Sequence, residues 1–317
     1  MNKNEKIYVA GHTGLAGSAI VRKLEKEGYK NLLLVPHRQL DLTKQAATEA
    51  FFEQEKPDYV IVAAGLVGGI QANQASPADF FAVNMAIANN VILSAHKYGV
   101  KKLLYLGSAC MYPKDCTQPM REEALLTGLP EGTNEGYALA KICGSRLCTY
   151  MRRQYGDDFI SAVPANAYGR NDCFDPLKSH VIPALIMKYH HAKCAGTHSV
   201  ELWGSGRALR EFLHTDDLAD ACLFLMEHYS DDMPVNIGSG EEVSMLELCH
   251  MVGAVVGYEG EIVCDLSRPD GMMRRMVDPG RLKQLGWTAK IGLQDGLDMV
   301  YADYLARMEG EYNESDI

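Results

Sequence analysis

The apolar run Ile7–Ala10, followed by Gly11-His12-Thr13-Gly14-Leu15-Ala16-Gly17, leaves the first half of this chain few folds to choose from. The glycines are spaced G-x-x-G-x-x-G. Residues 14–27 then carry Leu15, Ile20, Val21 and Leu24 at helical spacing. Glycine permits the tight turn from strand to helix and lets the backbone come close to a pyrophosphate, which sits on the helix N-terminus. A glycine pattern alone is weak evidence; at a strand-to-helix turn it points to a bound dinucleotide.

The same rhythm continues. Apolar strands are predicted at 32–35, 59–64, 103–107 and 159–163, separated by helices at 43–55, 79–98 and 134–155. Runs such as 59–64 are apolar throughout, as strands buried on both faces must be. Strands alternating with helices predict an α/β fold, a Rossmann-type doubly wound parallel sheet. After about residue 170 the elements shorten and glycine and proline become frequent. Helices are predicted at 179–190, 244–256 and Leu293–Met308, with a further helix start at Asp216-Asp217 after 210–214, and strands at 200–203 and Val235–Ile237. The organisation expected is a nucleotide-binding domain over 1–170, to which the chain returns around 212–240, and a smaller α/β substrate domain over 171–317. The acidic tail from Glu309 to Asp316 is expected to fray.

Composition removes several classes of function. Thirty-one Lys and Arg against 41 Asp and Glu leave a net charge of −10. Such a chain is a poor binder of nucleic-acid backbones, although a local basic pocket for a small anion is allowed. The nine cysteines are odd in number and form no C-x-x-C pair, which argues against a disulfide framework or a zinc ribbon, so no metal is expected. The most apolar long stretch, 80–95, contains Asn84, Asn89 and Asn90 and reads as a buried helix rather than a membrane span. Free thiols and the lack of a signal-peptide pattern point to a reducing cytoplasm.

The second predicted strand ends in Val35-Pro36-His37-Arg38, where NAD binders usually place an acid for the ribose hydroxyl. A cation there suits the 2′-phosphate of NADP, and Asp41 is placed to contact the adenine. Tyr137 and Lys141 are spaced i, i+4 on one helix face. A nearby ammonium is expected to lower the tyrosine pKa toward a useful range. Tyr98/Lys102 and Tyr189/Lys193 have the same spacing, but only Tyr137 follows a buried strand that delivers a serine, Ser108, at its C-terminal end. Ligands in open α/β sheets bind outside those ends.

Fingerprint, strand-end serine and Tyr-x-x-x-Lys together resemble the extended short-chain dehydrogenase/reductase family over most of the chain. The resemblance implies that Tyr137 is the general acid/base, that Lys141 also holds the nicotinamide ribose, and that Ser108 polarises the substrate oxygen. It implies NADP (NADPH) lying along residues 11–17, His37, Arg38 and Asp41. Further cofactor contacts are implied at Leu106, Gly107, Lys141, Pro164, Ala165, Asn166, Ala167 and His180.

Six separated segments are similar to the GDP-sugar epimerase-reductases of that family. They are Leu106 to Pro113 with Cys110, Ser179 to Leu185 with His180, and Trp203-Gly204-Ser205-Gly206 with the following Arg210 to His214. The others are Val67-Gly68-Gly69-Ile70, Asn134-Glu135 and Arg268-Pro269-Asp270-Gly271. A thiolate can take an acidic proton alpha to a carbonyl. The resemblance makes Cys110 and His180 the base and acid of epimerisation at C3 and C5. It gives Ser108, Lys188, Trp203, Arg210 and Asp270 to the substrate, GDP-4-keto-6-deoxy-D-mannose, with GDP-L-fucose as product. A related reading keeps the residues and takes a 3-deoxy keto-sugar, as in GDP-L-colitose synthesis. A distant one is a catalytically silent NADP-sensing protein. Thr13 and His37 stand where such enzymes often carry arginine. The resemblance also implies a homodimer.

Overall fold

Hydrophobic alternation sorts the first strands onto two helical layers. The structure is a computed structural model describing residues 1–175, 179–268 and 270–310. In chain order the first half is β1 (Ile7–Ala10), α1 (Leu15–Lys26), β2 (Leu32–Leu33), α2 (Gln45–Glu55), β3 (Tyr59–Val62), α3 (Ile70–Ala75), α4 (Pro77–Lys97), β4 (Lys102–Leu106), α5 (Glu135–Tyr155) and β5 (Phe159–Pro164). Then follow β6 (Asn166–Tyr168), α6 (Val181–Ala195), β7 (Ser199–Trp203), β8 (Leu209–His214), α7 (Thr215–His228), β9 (Val235–Ile237), β10 (Glu242–Ser244), α8 (Met245–Val256), β11 (Glu261–Asp265), β12 (Arg274–Arg275), α9 (Gly280–Gln284) and α10 (Leu293–Met308).

Six strands form the main sheet in the order β2-β1-β3-β4-β5-β9, every neighbouring pair parallel. Successive side chains on a strand point to opposite faces. Ile7, Val9, Ile61 and Leu104 therefore pack in one core with residues of α1 and α7. Tyr8, Val60, Val62 and Leu103 pack in the other, with α2, α4 and α5. The sheet is thus the doubly wound one that the alternation predicts. A third core joins Ile186 and Tyr189 of α6, Leu248 and Val252 of α8, and Leu297 and Val300 of α10. Beside it stand the sheet β10-β8-β12, with β6 also on β8, and the parallel pair β7-β11. The junction between the two halves is Ala165, whose N–H donates to the carbonyl of Ile237 at 2.9 Å.

Helix α4 is long and apolar enough to cross a membrane by length and composition alone. Here it buries Phe80, Ile87, Val91 and Ile92. Its asparagines are used internally: Asn90 Nδ2 donates to Leu42 O at 2.9 Å, and Asn84 clamps a loop described below.

Several boundaries differ from those the sequence predicts. Helix α2 begins at Gln45, not at 43, because Thr43 is engaged locally: its N–H and hydroxyl both donate to Asp41 Oδ1, at 3.0 and 2.7 Å. Strand β2 stops at Leu33, before Pro36, which has no N–H to offer a ladder. Helix α6 begins at Val181, not at 179, because His180 is still extended (φ −73°, ψ 175°) and only flanks the helix. The strands β6, β10, β11 and β12 and the small helices α3 and α9 are not among the elements the sequence predicts; β12, of two residues, is too brief for periodicity to announce. The acidic tail beyond residue 310, and Pro269, lie outside the described residues.

Candidate active site

The first and last glycines of the loop leave no room for a side chain. Gly11 has φ +82°, and a Cβ there would lie 2.6 Å from Ala64 Cα. A Cβ on Gly17 would lie 2.0 Å from Gly11 O, so α1 could not start so close to β1. Gly14 flanks α1 with no side-chain cap, and the first turn holds no acid. The free N–H groups and the positive end of the helix are therefore left to an anion. His12, Thr13, Leu15 and Ala16 complete the loop, and burial lowers the His12 pKa. His37 and Arg38 are exposed in the turn after β2, on the same edge of the sheet. The Asp41 carboxylate already accepts both Thr43 bonds, so it is occupied with its own turn.

The end of β4 carries the polar cluster. Leu106 O accepts from Lys141 Nζ at 2.8 Å, and Gly107 N donates to Ala162 O at 2.8 Å. Ser108 flanks a single 3-10 turn, Ala109–Met111, and its Oγ accepts from Cys110 N at 3.3 Å. The same hydroxyl lies near the Tyr137 phenol and acts to lower its pKa. Asn134 Nδ2 donates to Cys110 Sγ at 3.1 Å. Helix α5 thus supplies Tyr137 and Lys141, with Asn134 at its start, against the turn that supplies Ser108 and Cys110. Phe80 of α4 packs edge-on to the Tyr137 ring, with centroids 6.4 Å apart.

The electrostatics correct one expectation. Lys141 was expected to pull the Tyr137 pKa down; instead the phenol is held up, by burial first and then by Cys110, against the lowering effect of Ser108. Lys141 Nζ is 5.9 Å from the Tyr137 ring centroid and donates to a backbone carbonyl. Burial pushes Lys141 itself down to about 8. A protonated phenol and an ammonium that a phosphate or ribose could stabilise are the result.

His180 stands beside Asp172, Nδ1 to Oδ1 3.7 Å, and this carboxylate raises its pKa against the effect of burial. Gly69 lies against the backbone carbonyl of Ser179: a Cβ on it would be 3.7 Å from that oxygen. A Cβ on Gly68 would be 3.0 Å from Phe80 Cζ, so the 67–70 loop links His180's segment to the Phe80–Tyr137 pair. Asn84 fixes the start of that loop, accepting from Leu66 N at 3.1 Å and donating to Leu66 O at 3.0 Å.

Pro164, Ala165, Asn166 and Ala167 line the crossing from β5 to β6, where Asn166 Nδ2 donates to Glu211 O at 2.8 Å. The proposed substrate side is more open. Trp203 is 55 % exposed, and the Arg268 guanidinium lies 5.0 Å from its ring centroid. Lys188 is exposed and donates to Glu201 O. Asp270 accepts from Ser205 N at 2.6 Å and from Ser205 Oγ at 2.9 Å, so its carboxylate braces the Trp203-Gly204-Ser205-Gly206 turn. Arg210 is half-buried, and burial together with Arg275 lowers its pKa. Sequence reasoning missed the parts played by Asn84, Asp172 and Arg275 and the Asn134–Cys110 contact. Only Asn84 left a signal, as an amide inside an apolar helix.

A glycine cradle at a strand-to-helix turn, with a Ser-Tyr-Lys cluster at the end of the fourth strand, defines a class, and the chain belongs to it. It is a member of the NAD dependent epimerase/dehydratase family, whose model matches residues 7–238. More particularly, it is 56% identical over 304 residues to GDP-L-fucose synthase 1 of Arabidopsis thaliana, covering 96% of this chain and 94% of that protein. It is 38% identical over 295 residues to GDP-L-colitose synthase of Yersinia pseudotuberculosis, covering 92% and 95%. Among solved structures, a GDP-L-fucose synthetase from Naegleria fowleri bound to NADP superposes with a TM-score of 0.89 at 27% identity, covering 98% and 96%.

Proposed function

We propose that this protein is an NADP-dependent epimerase-reductase that converts GDP-4-keto-6-deoxy-D-mannose to GDP-L-fucose. The observation that carries the reading is the cluster at the end of β4: Ser108, Cys110 and Asn134 joined by hydrogen bonds, beside Tyr137, whose pKa both Ser108 and Cys110 perturb, with Lys141 one helical turn on. The glycine cradle and the uncapped start of α1 fit a dinucleotide pyrophosphate, and exposed Arg38 suits a 2′-phosphate. When bound, NADPH supplies hydride to C4.

The chain's own residues do the rest. Ser108 and Tyr137 donate hydrogen bonds to the C4 carbonyl oxygen, which acidifies the hydrogens at C3 and C5. Cys110 removes a proton and His180 returns one to the other face, inverting each centre in turn. Tyr137 then gives its proton to the C4 oxygen; its raised pKa keeps the phenol protonated until that step. One site serves both reactions because both begin at the same polarised carbonyl. Lys141 holds the ribose. We assign the cofactor to residues 1–170 and the return at 212–240, and the GDP-sugar to residues 171–317 through Lys188, Trp203 and Arg210. Asp270 acts by bracing the Trp203 turn.

The GDP-L-fucose reading stands ahead of the 3-deoxy one on the identities, 56% against 38%. Product identification after incubation with each keto-sugar, with NADPH against NADH, tests it. NADPH oxidation with inversion at C3 and C5 is expected; no oxidation with the 6-deoxy keto-sugar overturns it. A homodimer is also part of this reading: α4 and α5 leave Phe81, Leu93, Leu139 and Tyr150 exposed, and a two-fold axis would cover them. Light scattering of the purified protein should give twice the chain mass. All nine cysteines are free thiols, which fits a reducing cytoplasm.

A further inference from the structure

Arg210 does not stand alone. Strand β12 runs parallel to β8, with Arg275 in register with Arg210 and Arg274 with Leu209. Side chains at paired positions stand on the same face of a sheet, and like charges there destabilise it. Ordinarily a nearby carboxylate would relieve the repulsion, but the acids around this edge are used elsewhere. Glu211 accepts from Val277 N and Gly240 N, each at 2.9 Å. Glu242 takes Arg274 at 2.8 Å, and Asp270 takes Ser205. Among the described residues neither Arg210 nor Arg275 has a carboxylate within ion-pair distance. Arg210 donates to its neighbour's carbonyl, Leu209 O, at 2.8 Å, while the Arg275 Nε is buried and unpaired. The chain leading into β12 is tied both to β8, where Leu209 N donates to Met273 O at 2.8 Å, and to the Trp203 turn, where Ser205 N donates to Asp270 at 2.6 Å.

We infer that Arg275 joins Arg210 in a two-guanidinium clamp for the diphosphate of the substrate nucleotide, one planar fork for each phosphate. The inference rests on the GDP-sugar reading above and assigns to it a residue outside the recognised motifs. Guanidinium matches phosphate oxygens in bidentate fashion, and it is more weakly hydrated than an ammonium, so it tolerates a half-buried edge. A dianion between the two converts their repulsion into attraction. The clamp is then selective for diphosphates over monophosphates, because a single phosphate can satisfy only one fork well.

The test is calorimetric binding of GDP, GMP and guanosine to the full-length protein and to Arg275→Met and Arg275→Lys. Arg275→Met should weaken GDP by roughly tenfold or more, the size of a lost charge-assisted hydrogen bond, and GMP far less. Arg275→Lys should recover part of the loss, since it keeps the charge but not the fork. In turnover assays KM for the keto-sugar should rise with kcat held, the mark of lost ground-state binding. Equal losses for GDP and GMP would make Arg275 a mere sheet residue and overturn the clamp. Unchanged GDP affinity in Arg275→Met would overturn it too while leaving the proposed reaction intact. A wild-type protein that binds GDP no better than guanosine would overturn both. Should Arg275→Met not fold, Arg275→Lys carries the same GDP-against-GMP comparison.

Discussion

The end of β4 and the edge formed by β8 and β12 are built on opposite rules. At the first, polar side chains are held by partners within the site: Ser108 by Cys110 N, Asn134 by Cys110 Sγ, Lys141 by Leu106 O, with Tyr137 perturbed by Ser108 and Cys110. At the second, Arg210 and Arg275 stand in register on adjacent strands with no carboxylate among the described residues within ion-pair distance, and Trp203 stands exposed. A closed cluster is preorganised: its groups are in place before the substrate arrives and need not be reordered at the moment of reaction. An edge with unneutralised charge is unfinished until an anion completes it. The difference separates chemistry from binding. Damage at β4 should lower kcat, and damage at β8–β12 should raise KM.

The largest effect should follow Tyr137→Phe, which removes the proton donor and leaves the ring. Loss of general acid catalysis costs roughly 10² to 10⁴ in rate. NADPH oxidation should fall by that much, while solvent deuterium continues to enter C3 and C5 at a reduced rate. Unchanged oxidation would remove Tyr137 from the mechanism. Cys110→Ser should have the complementary result. Deuterium entry should fall by about 10² or more, with NADPH affinity unaltered. If exchange at C3 and C5 proceeds at the normal rate, Cys110 is not the base. Arg210→Met tests the other side of the comparison. A KM rise of about tenfold at constant kcat is expected from a lost charged hydrogen bond. A fall in kcat with KM unchanged would erase the distinction between the two regions.

How much of this was legible in the sequence follows the same division. The cluster at β4 could be read because its parts are local: a buried strand ending in Ser108, a thiol two residues on, and Tyr137 and Lys141 one turn apart on a helix. Even there the sign of the Tyr137 shift is not legible in the spacing. Spacing puts Lys141 on the right face but does not say that its ammonium turns to Leu106 O, nor how deeply the phenol is buried. The β8–β12 edge was half legible. Arg210 stands in a recognisable segment, but β12 is two residues long, has no periodicity, and gains meaning only from a register set by distant chain. Asp270 is assigned to the GDP-sugar by resemblance; that it also holds Ser205, 65 residues away in sequence, is a pairing no local pattern announces.

His180 lies between the two rules, and it gives the smallest and most discriminating effect. One side of its ring meets Asp172, which is 3 % exposed, while the side chain itself remains 42 % exposed. Asp172 is the main cause raising the His180 pKa above its ordinary 6.5, so the folded protein binds this proton more tightly than the unfolded chain does. The stability this contributes is fully present below about pH 6.5 and is lost as pH rises through the folded value. Asp172→Asn removes that contribution. Urea midpoints for wild type and variant should therefore differ more at acid pH than at alkaline pH, over and above any pH-independent cost of the substitution. Because the ring is partly exposed and screened, the pH-dependent part should not exceed about 1 kcal/mol. Stability curves that run parallel from acid to alkaline pH would show that Asp172 does not hold the His180 proton. His180 would then belong with the open groups of the β8–β12 edge, and its assignment as the acid of epimerisation would lose its electrostatic support.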